Sequence, residues 1–358
     1  MILRYLEKVV CGEEMNFGSK VVRALLLPFS WLYLGGLGFY LKLYDWGLKK
    51  RTRLGVPVIC VGNLTFGGTG KTPFVRMLCE FLQKNGVRPV VLTRGHGVKH
   101  EGTIIVSDYE NVLANAGQAG DEPYLLAKSL PGVPILVDRD RRRSGAWACE
   151  NLKPDVIVLD DGMQYWQLEK DVTVVIMDAV RPFGSGYVMP AGDMRESEKS
   201  LERADLMVFS HCESVTNDYL IDLAKRLNKY VDYDNMFCAS HIPVKLTGEE
   251  GETDLSFLRD KDVTAFCGIG NPNSFFDTLE RLGARVCGRI IFSDHMDYTE
   301  ADMADVEHIA AGRIVVTTEK DAAKLEDMYV PNLYVLDIEF DLEDEERFED
   351  RLKKHLVG

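Results

Sequence analysis

The chain has 358 residues, 46% of them hydrophobic and 27% charged, which is enough for two domains with large cores. Its net charge of -14 excludes a broad nucleic-acid footprint, so no nucleic-acid partner is expected. Eight cysteines without a C-x-x-C pair read as reduced core residues of a cytosolic compartment, not as a disulfide framework.

Residues 1–54 form an apolar leader with a basic tail. Ala24 to Leu41 is a run of 18 uncharged residues, at the short end for a membrane span. Pro28, Gly35, Gly36 and Gly38 interrupt it, and no small-residue cleavage site of a secretory signal follows. Two readings stand: an anchor embedded in or resting on a membrane, and a helix buried between domains. Lys42, Lys49, Lys50, Arg51 and Arg53, against the single acid Asp45, suit an anionic membrane surface and would stay on the cytoplasmic side.

Residues 55–210 read as an α/β unit. Apolar strand-like runs (Val56 to Val61, Val87 to Thr93, Ile135 to Val137, Val156 to Leu159, Val172 to Met177, Leu206 to Phe209) alternate with helix-like segments, as in a parallel sheet covered on both faces. Residues 211–260 are less regular and read as an inter-domain connection. Residues 261–358 return to the α/β rhythm as a second, smaller domain and end in an amphipathic helix. Sites in open α/β sheets lie beyond the carboxyl ends of strands, and many of these runs end in small or polar residues.

After the strand-like PVICVG comes Thr65-Phe66-Gly67-Gly68-Thr69-Gly70-Lys71-Thr72, which opens a helix. Glycines let the backbone present its N–H groups to phosphates, Lys71 can reach the β- and γ-phosphates of ATP, and Thr72 offers a hydroxyl to Mg²⁺. Thr65 stands where the general phosphate-loop pattern has its first glycine. The strand-like DVIVL runs into Asp160-Asp161, a carboxylate pair suited to Mg²⁺.

Other groups have two readings each. Asp121 and Glu122 in GDEP either open a helix as cap and first turn or face an acceptor hydroxyl. Asp294-His295 is either a surface pair or an acid/base partner, and Thr318 to Asp321 a helix cap or part of a site. Arg94, in Arg94-Gly95-His96-Gly97, and one arginine of the Arg139 to Arg143 cluster could meet a phosphate. The glycine-containing loop 183–196 is either a plain surface loop or a cover over a site.

Together these motifs resemble the tetraacyldisaccharide 4'-kinase family of lipid A biosynthesis. The resemblance is carried by PFSWLY in the leader, VGNLTFGGTGKTP at 61–73, RGHG at 94–97, GDEP at 120–123 and DDGMQ at 160–164. FGSGYVMPAGDMRE at 183–196, GIGNPNSFF at 268–276, FSDHMDY at 292–298 and TEKDAAKL at 318–325 complete it. It implies an α/β P-loop containing nucleoside triphosphate hydrolase fold, a second, smaller α/β domain and an N-terminal apolar membrane-anchoring helix.

The implied reaction is Mg²⁺-dependent transfer of the γ-phosphoryl group of ATP to the 4'-hydroxyl of tetraacyldisaccharide 1-phosphate. The implied place is the cytoplasmic face of the bacterial inner membrane, with no obligate protein partner. By the same resemblance Lys71 neutralises the transferring phosphoryl, and Asp121 is the base, assisted by His295. Thr72, Asp160, Asp161 and Glu196 serve the metal. Arg94, His96, Glu122, Arg141 and Gln164 are further contacts to substrate or phosphate, and Arg141 matches only with one residue inserted near Pro131.

Three positions depart from the family pattern: His96 for tyrosine, Tyr165 for histidine, and Met296 for a second histidine after His295. The rival readings, a partitioning-type ATPase and a nucleotide-sensing scaffold, fit less well. Phe66 stands where the first carries lysine, and the second has no need of Lys71, Thr72 and the acids.

Overall fold

A computed structural model describes residues 2–12, 14, 16–95, 101–293, 296–325 and 328–357. His96, Asp294 and His295 lie outside the described residues.

Two helices lead the chain, α1 (Ile2–Cys11) and α2 (Phe17–Asp45). At the start of α2 the Asn16 side chain accepts from the Ser19 amide at 2.8 Å, an N-cap. The helix continues through Pro28 and at 1.5 Å per residue is about 44 Å long. Its most apolar stretch is only 6% buried, and Phe17, Leu25, Phe29, Trp31 and Leu32 are exposed. The buried-helix reading of the leader is therefore set aside.

The strands are β1 (Val58–Gly62), β2 (Pro89–Thr93), β3 (Ile104–Ser107), β4 (Ile135–Val137), β5 (Val156–Leu159), β6 (Val172–Asp178) and β7 (Leu206–Ser210). They continue with β8 (Met236–Gly248), β9 (Gly251–Thr253), β10 (Asp262–Cys267), β11 (Arg285–Ile291), β12 (Ile314–Thr318) and β13 (Leu333–Leu342). The remaining helices are α3 (Lys71–Lys84), α4 (Ala116–Ala119), α5 (Asp121–Ser129), α6 (Arg141–Asn151) and α7 (Asn217–Leu227). After them come α8 (Pro272–Arg281), α9 (Glu300–Ala310), α10 (Glu319–Ala322) and α11 (Glu345–Val357).

Among the described residues the strands form one sheet in the order β11-β10-β12-β13-β8-β7-β6-β1-β5-β2-β4-β3, with β9 paired antiparallel to β8 off this path. Two blocks, parallel except for the antiparallel edge strand β3, meet at an antiparallel seam between β13 and β8. The seam strand does two jobs. Met236 to Cys238 pair in parallel with β7, and Ala239 to Gly248 pair with β13. Its register shifts opposite Asp337 and Ile338, beside Pro243, where a residue without an N–H can be tolerated.

The central strands are fully buried, because helices cover both faces, which matches their continuous apolar runs. One core lies between the β1-containing block and α3, α5 and α11, with Phe74, Leu78, Leu126, Phe348 and Leu352 at its centre. The terminal helix α11 thus returns to the first block, and Phe348 meets Phe74 and Phe237 edge-on at 5.9 and 5.2 Å. The second block has its own core around Phe275, Phe276, Val263 and Val316.

Candidate active site

The loop Thr65 to Thr72 joins β1 to α3. Gly67 and Gly70 take φ of 108° and 79°, the left-handed region that glycine reaches without cost. Gly70 caps α3 with no side-chain hydrogen bond, so the first amides of the helix stay free for an anion. A Cβ on Gly70 would lie 3.0 Å from His241 Cε1 and 3.4 Å from Phe340, so the seam strands limit this residue sterically as well.

Two contacts brace the loop from below. Asn63 Nδ2 donates to the Thr65 carbonyl (2.8 Å) and to Thr69 Oγ1 (2.9 Å). Ser210 Oγ, at the end of β7, donates to the Thr69 carbonyl at 2.9 Å. From above, the Phe66 amide donates to the Asp193 carbonyl (2.8 Å) and the Arg195 amide to the Leu64 carbonyl (2.6 Å). The loop 183–196 is therefore a cover tied to the phosphate loop.

Lys71, the first residue of α3, points its Nζ to within 3.8 Å of Asp161 Oδ1. Asp161 is in the left-handed region (φ 47°), and both its oxygens accept from Arg195 Nη1, at 2.6 and 2.8 Å. Burial works to raise the Asp161 pKa, but Lys71 and Arg195 outweigh it and hold the carboxyl below its ordinary value.

Asp160 is different. It is 4% exposed and accepts from Thr93 Oγ1 at 3.1 Å. Burial, then Asp161 and Glu122, push its pKa up to about 6. A buried carboxylate with so little compensation suits a hard cation. With Asp161 and the Thr72 hydroxyl it offers the oxygen donors that Mg²⁺ shares with phosphate oxygens. Among the described residues no group of three or more His, Cys, Asp or Glu forms a ready-made metal cage. That is the usual situation for Mg²⁺, which takes one or two carboxylates plus substrate phosphates.

Glu196 is 1% exposed. Its Oε1 accepts from Gln164 Nε2 (2.9 Å), and its Oε2 accepts from Ser200 (2.8 Å) and Arg203 (2.7 Å). Gln164 also donates to the Asn63 carbonyl at 3.1 Å and accepts from Arg195 at 3.3 Å. Glu196 and Gln164 thus connect the phosphate loop to the Asp161–Arg195 pair. Arg141 is buried at the start of α6, donates to the Asp161 carbonyl at 3.3 Å and lies 4.8 Å from the Tyr165 ring. Arg94, at the end of β2, is exposed.

Gly120 (φ 93°) turns the chain into α5, with Asp121 as its first residue. Lys324 Nζ lies 3.6 Å from Asp121 Oδ2, and Lys320 Nζ lies 3.8 Å from Glu122 Oε1. Arg76 of α3 meets Glu319 at 3.4 Å. The TEKDAAKL segment of the second block therefore sits against GDEP and the phosphate-loop helix. Within it, Thr318 caps α10 through the Asp321 amide (3.2 Å). Asp321, fully buried, accepts from Tyr298 (2.7 Å) and from the Gly268 amide (3.0 Å). For Thr318 and Asp321 the cap reading holds, while Lys320 and Lys324 reach the site.

Several of these residues take no role of their own from the sequence alone. Arg195 stands in the motif at 183–196, next to Glu196. His211, just after β7, and His241, in β8, are stacked at 4.2 Å behind Gly70 because β7 and β8 pair in parallel. A strand-end position was the one signal for His211.

Similarity to known proteins agrees with this geometry. Residues 22–357 match the family model described as tetraacyldisaccharide-1-P 4'-kinase. The chain belongs to this family. Among its relatives named tetraacyldisaccharide 4'-kinase, that of Syntrophus aciditrophicus is 37% identical over 93% of this chain and 92% of its own length. That of Geobacter sulfurreducens is 38% identical over 89% of this chain and 88% of its own. A crystal structure of LpxK from Aquifex aeolicus, described as an "apo" form in complex with ATP, superposes with a TM-score of 0.76. It has 34% identity and covers 94% of this chain and 99% of that one. The fold is thus that of this kinase family.

Proposed function

We propose that this chain transfers the γ-phosphoryl group of ATP to the 4'-hydroxyl of tetraacyldisaccharide 1-phosphate, giving the 1,4'-bisphosphorylated lipid. The observation that carries the reading is the Lys71–Asp161–Arg195 cluster at the start of α3 together with Asp121, held by Lys324 beside Glu122, whose charge acts on Asp160. The first fits the donor phosphates and the second fits an acceptor hydroxyl.

Phosphoryl transfer needs alignment and charge neutralisation more than covalent help. The amides opening α3 and Lys71 receive the β- and γ-phosphates. Asp161 and Arg195 fix the position of Lys71. Asp160, Asp161 and Thr72 would hold Mg²⁺, which supplies charge neutralisation on the phosphate oxygens when bound. Asp121 takes the proton of the 4'-hydroxyl as the oxygen attacks, with His295 as its partner in this reading. Glu196 keeps Gln164 and Arg203 in place beside the site. Glu122, Arg94, His96 and Arg141 are further contacts; the His96 and Tyr165 departures alter contacts to the disaccharide without touching the phosphate loop, and Met296 leaves His295 as the retained partner.

The exposed apolar face of α2 and the basic residues after it support a place at the cytoplasmic face of the bacterial inner membrane, where an acylated acceptor lies. The test is incubation of the full chain with Mg·ATP and tetraacyldisaccharide 1-phosphate in detergent, followed by NMR of the lipid. A new phosphate at the 4' position is expected, and Asp121→Asn should lower kcat at least a hundredfold while shifting the KM for ATP little. Product at another hydroxyl, or equal losses in kcat and ATP binding, would refute the assignment.

A further inference from the structure

Polar side chains interrupt the apolar helix α2 on the face it turns to the rest of the protein. Arg23, Ser30 and Tyr33 are spaced by seven and three residues, which places them along one side of a helix. Ser30 is 3% exposed, whereas Leu25, Phe29 and Leu32 are exposed. A helix that served only to rest in lipid would gain nothing from burying a hydroxyl, because a polar group away from water is costly unless it is paired.

All three side chains reach the loop 183–196. Arg23 Nε donates to the Ala191 carbonyl at 3.3 Å, and its guanidinium lies 4.8 Å from the Tyr187 ring. Ser30 Oγ donates to the Val188 carbonyl at 2.8 Å and accepts from the Ala191 amide at 3.2 Å. Tyr33 donates its phenolic proton to the Arg195 carbonyl at 3.0 Å. The helix thus supplies partners for backbone groups of the loop that would otherwise need water.

The Tyr33 contact bears on the catalytic cluster. The Arg195 backbone is held on both sides: its amide donates to the Leu64 carbonyl at 2.6 Å, and its carbonyl accepts from Tyr33. From that fixed point the side chain extends to Asp161, whose two oxygens lie 2.6 and 2.8 Å from Arg195 Nη1, and Asp161 faces Lys71. The next residue, Glu196, holds Gln164 at 2.9 Å. A long, flexible guanidinium side chain is only as well placed as the backbone that carries it. Groups around a reacting phosphoryl must be held within about 0.5 Å, and a misplacement of about 1 Å can cost roughly a hundredfold in rate.

We propose that Tyr33 and Ser30 are positioning residues for phosphoryl transfer, acting through the backbone of the loop 183–196 on Arg195 and so on the Asp161–Lys71 pair. The assignment rests on the kinase reading above. Helix α2 then has two separable tasks. Its outer face meets lipid, and its inner face holds the catalytic arginine in register, whether or not a bilayer is present.

The test measures turnover of tetraacyldisaccharide 1-phosphate in neutral detergent micelles, with no bilayer, for wild type, Tyr33→Phe, Ser30→Ala, Arg195→Gln and the Tyr33→Phe/Arg195→Gln double variant. Flotation with vesicles of phosphatidylcholine and phosphatidylglycerol reads lipid binding in parallel. Tyr33→Phe should lower kcat about fivefold, the worth of one neutral hydrogen bond, and Ser30→Ala, which loses two, about tenfold. The KM for ATP should stay within about twofold and flotation should match wild type, since neither hydroxyl touches nucleotide or lipid in this account. With Arg195 already replaced, Tyr33→Phe should change kcat by less than about twofold, because residues acting through one another are not additive. A Tyr33→Phe enzyme as fast as wild type would overturn the proposal. So would the same fivefold loss in the Arg195→Gln background, or a loss of turnover that tracks a loss of flotation, which would leave α2 an anchor alone. A wild type that makes no product would instead remove the kinase reading, and this assignment with it.

Discussion

Substituting His241 by glutamine isolates one buried titratable group beside the phosphate loop. The His241 ring is stacked on His211 at 4.2 Å, meets Phe340 edge-on at 5.2 Å, and has a buried Nδ1 with no partner. Burial, then the neighbouring His211, push its pKa from 6.5 down to about 3, and Asp178 offsets this only in part. Its backbone amide donates to Glu213 at 3.3 Å, and Asp178 lies 3.4 Å from His211 Nδ1, so these acids face the pair from neighbouring segments.

The sign follows from proton binding. The unfolded chain protonates this histidine below pH 6.5, and the folded chain refuses the proton until about pH 3, so stability falls as pH drops through that window. At pH 5 the loss from this one group is roughly 2 kcal/mol relative to pH 7.5. Urea unfolding of the full chain in detergent, followed by tryptophan fluorescence at pH 7.5 and 5, reads it directly. The glutamine variant should lose about 2 kcal/mol less than wild type between the two pH values. Any fixed cost of the substitution cancels in that difference. Equal acid losses in both proteins would show that His241 is not held neutral by its surroundings, and the reasoning would fail.

Three other outcomes follow from named contacts. Arg195→Gln removes two short hydrogen bonds to a partly buried carboxylate, so kcat should fall by a factor of roughly 10 to 150, measured at saturating ATP and acceptor. Gly70→Ala forces a side chain into the left-handed region and against His241, and should cost at least ~1 kcal/mol in urea unfolding while weakening ATP binding measured by calorimetry. Changing Leu25, Phe29 and Leu32 together to glutamine should reduce partition to anionic vesicles more than tenfold in a flotation assay, because each exposes an apolar side chain available for burial.

Much of the site is legible in the sequence because its parts obey local rules. Glycines with a following Lys-Thr, an apolar strand ending in Asp160-Asp161, and Gly120 ahead of Asp121 each place a side chain by short-range geometry. The length and apolarity of α2 are equally local. What the sequence does not disclose depends on long-range pairing. The strand Met236–Gly248 has no clean alternation, because its two ends pair with different neighbours in opposite senses and Pro243 interrupts it. The region therefore reads as an irregular connection. The same pairing brings His241 behind Gly70. Arg195 reaches Asp161 only because the loop 183–196 is tied to Leu64 and Phe66, contacts that no spacing rule foretells. The terminal helix reads as an amphipathic surface element, and the structure adds which core its apolar side chains enter: Phe348 and Leu352 pack in the first block.

The central claim is that one site passes a phosphoryl group from ATP to a lipid hydroxyl and not to water. Its most direct test is a turnover experiment with γ-labelled ATP, Mg²⁺ and tetraacyldisaccharide 1-phosphate, counting label in lipid and in free phosphate for wild type and Lys71→Met. The account predicts nearly all label in the lipid for wild type and little in either pool for the variant. Label released mainly as free phosphate by wild type, or lipid labelling that survives the loss of Lys71, would contradict it.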